Sequence, residues 1–323
     1  MSGRSDAPGE EALALVTPGC LGTCWYGRYH YVEPWVGCAH DCAYCYARTR
    51  RPVTAALAAR GHAFARPQPF LPAAELPRRL REEVTRMGVE VVKLSRYTDI
   101  FSPPFLADGT SLAVLQALVD SPVRRIILTT KGAADAAVLA LMARHPPRFS
   151  YNVVAKPVGA VALEGAVPPL GERLAAAAAA QATGVLVTVH LDPLLVGLED
   201  GQDALVDFFA ELKRHRLMRA MFSYMLINDD IAALLRERLP TAVATAILAG
   251  FAPEGEGRQF LPRQRETVYR ALRPEVITAS VRRVAALLER EGFAWVLCAL
   301  KNGRIGIDPA LVCGHLCDGT FYA

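Results

Sequence analysis

Residues 124–155 read RRIILTTKGAADAAVLALMARHPPRFSYNVVA. Arg124–Thr130 is a short apolar run rich in β-branched residues, which predicts a buried strand. Ala133–Arg144 predicts a helix, and Phe149–Ala155 a second strand of the same kind. Strand, helix and strand in so short a span make a βαβ unit with parallel strands. The unit recurs in both directions. Upstream, Val89–Ser95 reads as a strand and Ser111–Asp120 as a helix. Downstream come a helix at Gly171–Thr183, a strand at Val185–Leu191, a helix at Gln202–Arg216, a strand at Arg219–Ile227 and a helix at Asp230–Leu239. With Tyr31–Val36 as the first strand, the count is six βα units. The predicted fold class is α/β, a partial (β/α)6 TIM-like barrel with N- and C-terminal extensions; an open doubly wound sheet is the alternative.

Around that barrel (31–240) the sequence predicts two extensions. The first, 1–30, begins with small, polar and acidic residues that predict disorder over 1–12. The second, 241–323, holds an apolar run at Ala242–Ala249, a Gly/Glu/Pro loop at Pro253–Pro262, a helix at Glu275–Gly292 and a strand at Ala294–Leu300, all expected to pack on the barrel. Of 323 residues, 52% are hydrophobic and 21% charged, which excludes a mostly disordered chain. Lys plus Arg is 36 against 32 Asp plus Glu, a net charge of +4. That balance gives no electrostatic argument for nucleic acid or an anionic membrane. No apolar run is long enough for a transmembrane helix, and the N-terminus lacks a signal-peptide pattern. The expected location is the cytoplasm, where thiols stay reduced.

Eight cysteines in a reduced compartment call for an explanation other than disulfides. Gly37-Cys38-Ala39-His40-Asp41-Cys42-Ala43-Tyr44-Cys45-Tyr46 has C-x3-C-x2-C spacing. Three thiolates can hold three irons of a [4Fe–4S] cube and leave the fourth open. The loop follows the first strand, so it belongs at the C-terminal mouth of a barrel, where chemistry is sited. The competing reading is a non-catalytic zinc knuckle with His40 or a distant Cys as fourth ligand. Cys20 and Cys24, with Cys313 and Cys317, supply four more thiols, a candidate second site for another iron–sulfur cluster or zinc, with His315 as an alternative ligand. Cys298, within Trp295–Leu300, reads as core. His190 and Asp192, with Ser223 and Tyr224 on the next strand, mark the expected substrate cavity.

The triplet resembles the cluster motif of the radical S-adenosylmethionine (SAM) superfamily. That resemblance implies an enzyme in which the open iron chelates SAM. One electron then yields methionine and a 5′-deoxyadenosyl radical that abstracts a substrate hydrogen. Thr98-Asp99, Thr129-Thr130-Lys131, Arg148-Phe149-Ser150-Tyr151-Asn152, Leu163-Glu164 with Pro169-Leu170-Gly171-Glu172-Arg173-Leu174, and Gly184 with Asp192-Pro193-Leu194 resemble blocks of the spore photoproduct lyase branch. By that resemblance Thr98, Asp99, Lys131 and Ser150 lie around SAM, and the Tyr44 backbone lies beside the adenine. Lys131 would suit the SAM carboxylate and Asp99 its ammonium, while Glu164 and Arg173 form a structural or SAM-adjacent pair. The lyases carry a hydrogen-donating Cys three residues before the Asp; here that position is Arg96. Arginine does not donate a hydrogen atom readily, so Tyr97 is the candidate donor and Arg96 a candidate contact for a substrate anion. The expected substrate is small or nucleotide-like. DNA photoproduct repair is the alternative, weakened by the missing thiol and the balanced charge. The expected reductant is a flavodoxin or ferredoxin.

Overall fold

The computed structural model describes residues 13–19, 29–94, 96–157, 163–258, 268–302, 306–317 and 320–322. The disorder expected over 1–12, and Cys20 and Cys24, lie outside them. The chain runs β1 (Val16–Pro18), β2 (Tyr29–Val32), β3 (Trp35–Val36), α1 (Arg51–Ala58), β4 (Gln68–Pro69), α2 (Leu76–Arg86), β5 (Val91–Leu94), α3 (Pro103–Ala107) and α4 (Thr110–Val119). It continues β6 (Arg125–Thr130), α5 (Ala136–Arg144), β7 (Phe149–Val154), α6 (Leu170–Ala182), β8 (Leu186–Leu194), α7 (Gln202–Arg214) and β9 (Arg219–Tyr224). Last come α8 (Asp229–Arg238), α9 (Thr241–Ala249), α10 (Pro274–Arg290), β10 (Ala294–Leu297) and α11 (Ala299–Asn302).

The main sheet has the order β1-β2-β5-β6-β7-β8-β9-β10. From β2 onward every pairing is parallel, and β1 is antiparallel to β2. A doubly wound sheet reverses its strand order at a switch point. Here the order never reverses, so the predicted barrel winding holds and the doubly wound alternative does not. Two details differ from the sequence reading. Tyr31–Val36 is not one strand: it breaks at Glu33-Pro34, and β3 leaves the main sheet to pair with β4. Proline lacks the N–H a continued ladder needs. The late strand β10 joins β9 in parallel and makes seven parallel strands instead of six. Its crossover is α10, whose buried Ile277, Val281, Val284 and Leu288 lie on one helical face. The apolar run at 242–249 is helix α9.

Strand alternation divides outer face from lumen. Phe149, Tyr151 and Val153 of β7, Val187, Val189 and Leu191 of β8, and Ala220, Phe222 and Tyr224 of β9 belong to the main apolar core shared with the helices. Their neighbours Ser150, Asn152, Thr188, His190, Asp192 and Ser223 therefore face inward. Branched apolar layers fill a closed TIM barrel; this lumen is lined by polar residues along β7 and β8, over an apolar floor of Met221, Val296 and Tyr322. At the N-terminal strand ends Phe321 and Tyr322 cross its floor. Arg219 donates to the Phe321 carbonyl and stacks on its ring at 4.3 Å, and Arg125 lies 3.5 Å from the Tyr322 carbonyl.

A buried carboxylate fastens α10 to the barrel. Asp200 accepts from Ser280 Oγ at 2.6 Å and Arg283 at 2.5 Å, and Tyr224 of β9 donates to Ser280 at 3.0 Å. Asp200→Ala would leave the Ser280 hydroxyl and Arg283 Nη2 without their carboxylate acceptor, while Arg283 Nε keeps the backbone carbonyl at 200. We expect it to cost about 3 kcal/mol or more in urea unfolding, with Tyr224→Phe costing about 1.

Candidate functional site

The cysteine loop leaves β3 through Gly37, whose φ of +87° and close approach to Phe64 exclude a side chain; an added Cβ would lie 2.5 Å from the Phe64 carbonyl oxygen. Backbone bonds then pin the loop on two sides. Cys38 N–H donates to Phe64 O at 2.8 Å, Ala43 N–H to Leu163 O at 2.9 Å, and Ala166 N–H to His40 O at 3.2 Å. Asp41 pairs with Arg48 and, at 2.7 Å, with Arg238 at the end of α8. The thiols of Cys38, Cys42 and Cys45 lie in one another's electrostatic field. Burial pushes all three upward, Cys42 to about 11, against the pull of Lys131 on Cys42 and Cys45.

His40 turns away from the thiols. Its Nδ1 lies 3.1 Å from Ala166 O and its Nε2 3.3 Å from Asp99 Oδ2. Both ring nitrogens are engaged, so His40 is a brace and not the fourth ligand that the zinc reading allowed. Burial alone would lower His40 and raise Asp99; their mutual attraction outweighs it and holds them as an ion pair. Asp99 Oδ1 also accepts from Thr130 Oγ1 at 2.6 Å and Phe101 N at 2.9 Å, and Oδ2 from Lys131 N at 2.8 Å. The carboxylate thus joins the cysteine loop to the turns after β5 and β6. Thr98 lies beside it with a buried Oγ1 that has no partner among the described residues.

Lys131, just past β6, is half-buried and makes no side-chain hydrogen bond or ion pair among the described residues. Burial would lower its pKa, but Cys42, Glu164, Cys45 and Asp192 raise it and keep it a cation. Its Nζ lies 5.5 Å from the centre of the Tyr44 ring, and Lys156 covers the same ring at 4.5 Å. Tyr44 donates to Glu164, which lies 3.6 Å from Arg173, and Lys156 pairs with Glu199 at 2.8 Å. The expected Glu164–Arg173 pair is therefore present. Lys156 and Glu199 were not singled out in the sequence, although Lys156 stands just past a strand end as Lys131 does.

Across the mouth, Asp192 accepts from Ser223 Oγ at 2.5 Å and Lys301 Nζ at 2.6 Å. Lys301 follows β10 and was also missed. Deeper in the lumen, His190 Nε2 and the Tyr322 hydroxyl share a hydrogen bond of 3.0 Å.

Three site expectations need correction. Ser150 is the second residue of β7, at the end of the strand remote from the mouth, and accepts from Arg125 at 3.0 Å. Five residues of strand rise, about 16 Å, separate it from the loops above. Arg96 is not an open anion contact. Its Nε donates to buried Glu33 at 2.7 Å, its Nη2 to Thr17 at 3.3 Å, and its guanidinium stacks at 4.3 Å on both Tyr31 and Tyr97. Tyr97 packs in the apolar cluster beneath the cysteine loop with Val36, Cys38, Val53 and Phe64, and its hydroxyl bonds to Arg50. At the chain end, Cys313 is exposed, and Cys298 and Cys317 are half-buried against Met221, Val296 and Tyr322. His315 stacks on Trp295 at 3.8 Å and bonds its carbonyl through Nδ1. Among the described residues no three His, Cys, Asp or Glu side chains surround a single-ion position.

The donor set fits an iron–sulfur cube and SAM. Buried thiols that resist ionisation become thiolates when bonded to cationic iron, and a cube takes each thiolate at its own iron. The unpartnered Thr98 hydroxyl and the Lys131 ammonium offer one neutral and one cationic contact beside those thiols.

Two outcomes follow from this geometry. Arg96→Leu leaves Glu33 buried without its partner, and we expect a loss of about 3–5 kcal/mol in urea unfolding; a freely exposed arginine would lose almost nothing. Burial pushes His190 down to about 3 from 6.5, with Asp192 opposing only in part. The unfolded chain therefore binds a proton that the folded chain refuses between those values. Stability from this group is full above pH 6.5 and falls as pH drops toward 3, by about 1.4 kcal/mol per pH unit. His190→Gln should flatten the pH dependence of urea unfolding by that slope.

No family model matches the sequence, and no curated protein matches it. Among solved structures, a spore photoproduct lyase variant with bound AdoMet and dinucleoside spore photoproduct matches with a TM-score of 0.59 and 15% identity, over 83% of this chain and 75% of that one. Spore photoproduct lyase complexed with the dinucleoside spore photoproduct gives a TM-score of 0.58 at 15% identity, with the same coverage. The chain therefore has the fold of spore photoproduct lyase, the likeness that its motif blocks imply.

Proposed function

We propose that this chain is a radical SAM enzyme in which Cys38, Cys42 and Cys45 hold a [4Fe–4S] cluster. The observation that carries the reading is the placement of two buried thiols, Cys38 and Cys42, and the half-buried Cys45 on one loop at the C-terminal mouth of a partial barrel, beside a lysine with no ion-pair partner among the described residues. When bound, the cluster supplies the electron that cleaves SAM to methionine and a 5′-deoxyadenosyl radical. Lys131 binds the SAM carboxylate, and Thr98 donates or accepts a hydrogen bond at the same ligand. Asp99 acts at one remove: its three hydrogen bonds and its ion pair with His40 are already made, so it orients Lys131 and the cysteine loop. The Tyr44 backbone lies beside the adenine, fixed by its buried side chain between Glu164 and two lysines.

The substrate of the related fold offers a second reading. The lyase structures hold a dinucleoside spore photoproduct, which favours photoproduct repair. Against it, the position expected to carry the hydrogen-donating thiol is an arginine locked to Glu33. A flavodoxin- or ferredoxin-type protein is the proposed electron donor, in the cytoplasm. Among the described residues no helix is long and apolar enough to cross a membrane.

Anaerobic reconstitution with iron and sulfide tests the reading. The reconstituted chain, given SAM and dithionite, should release 5′-deoxyadenosine, and Cys38→Ala, Cys42→Ala and Cys45→Ala should each abolish the release. A zinc-loaded, colourless protein that forms no 5′-deoxyadenosine would sink it. Iron and sulfide that persist in the triple variant would reveal the second cluster.

A further inference from the structure

The lumen carries a built polar strip that neither the cysteine loop nor Lys131 uses. Thr188, His190 and Asp192 alternate along the inner face of β8, Ser223 faces them from β9, and Lys301 arrives from α11, the short helix after β10. Asp192 Oδ1 takes both protein donors, Ser223 and Lys301. Its Oδ2 accepts no hydrogen bond among the described residues. Lys301 lies 3.4 Å from Ser223 and spends two of its three N–H directions within the group. The Lys301 side chain is 34% exposed and that of Asp192 20%, so the free acceptor and the free donor stand together at an open rim. Below them the Thr188 Oγ1 is buried with no partner among the described residues. Asp192 lies near the C-terminal end of β8 and Lys131 just past that of β6, so the strip reaches the same edge of the parallel sheet as the cysteine loop.

We propose that Asp192, Ser223 and Lys301 form a substrate-binding site for a group that presents an N–H donor beside a carbonyl or carboxylate acceptor. The N–H meets Asp192 Oδ2 and the acceptor meets Lys301. Two kinds of molecule carry that chemistry: a zwitterionic α-amino acid, and the edge of a cyclic imide. Lys301 neutralises Asp192, so a ligand with a single net charge gains nothing from the pair. As the substrate side of the mouth, the site rests on the radical SAM reading; its existence as a binding site does not.

The test is a saturation-transfer NMR titration of the full chain with L-alanine and, separately, uracil, without SAM. Binding of either probe, weakened about tenfold or more by Lys301→Met and by Asp192→Asn, supports the site. L-alanine alone identifies the zwitterion, uracil alone the imide edge, and binding of both the shared chemistry. Ser150→Ala, at the far end of β7, should leave binding unchanged. Should Asp192→Asn fail to fold, Lys301→Met and Ser223→Ala carry the test. Binding of neither probe, or binding that survives Lys301→Met, overturns the proposal. Failure of the radical reading shows separately, as absence of 5′-deoxyadenosine from the reconstituted chain.

Discussion

One buried carboxylate, Asp99, holds the mouth of this barrel together. It is met by the His40 imidazole, the Thr130 hydroxyl and the amides of Phe101 and Lys131. An unpaired carboxylate at this depth would cost several kcal/mol, so the surrounding loops have a strong reason to converge on it. The convergence is tight enough that a Cβ on Gly132 would lie 2.5 Å from the Phe101 carbonyl oxygen. The cysteine loop is thus positioned by a carboxylate that reaches it through His40. This is the arrangement expected where a reactive group needs rigid support from a surrounding shell.

Charge around that mouth is distributed in alternation. Lys131, Lys156 and Lys301 stand among Glu164, Glu199 and Asp192. Lys156 is buried and covers Tyr44 from its place beside Glu199, and Lys301 is committed to Asp192. Lys131 differs: its neighbours are thiols and more distant carboxylates, none within ion-pair distance among the described residues. Burial discourages its charge while the acidic surroundings restore it, and the result is a cation kept ready without being neutralised.

Much of the framework was legible from periodicity. Five of the six proposed strands match strands of the main sheet, and the sixth, Tyr31–Val36, runs across the break after β2. Strand β1 was missed because three residues carry no period. The position of β10 was missed because sequence shows a strand but not its partner. At the site, the rule that polar residues just past strand ends face the mouth placed Thr98, Asp99 and Lys131 correctly. The same rule holds for Lys156 and Lys301, which follow β7 and β10. Ser150 violates the rule, being at the start of its strand, and resemblance alone had put it with the others. Arg96 was misjudged because its partner, Glu33, is 63 residues away, and no local pattern predicts that pairing.

The aromatic tail across the floor has a consequence for traffic. With Phe321 and Tyr322 held by Arg219 and Arg125, the lower strand ends are covered by the tail of the chain itself. A molecule that reaches the lumen from the side of the cysteine loop meets this aromatic floor at the far end, and the floor sets how deep it can go.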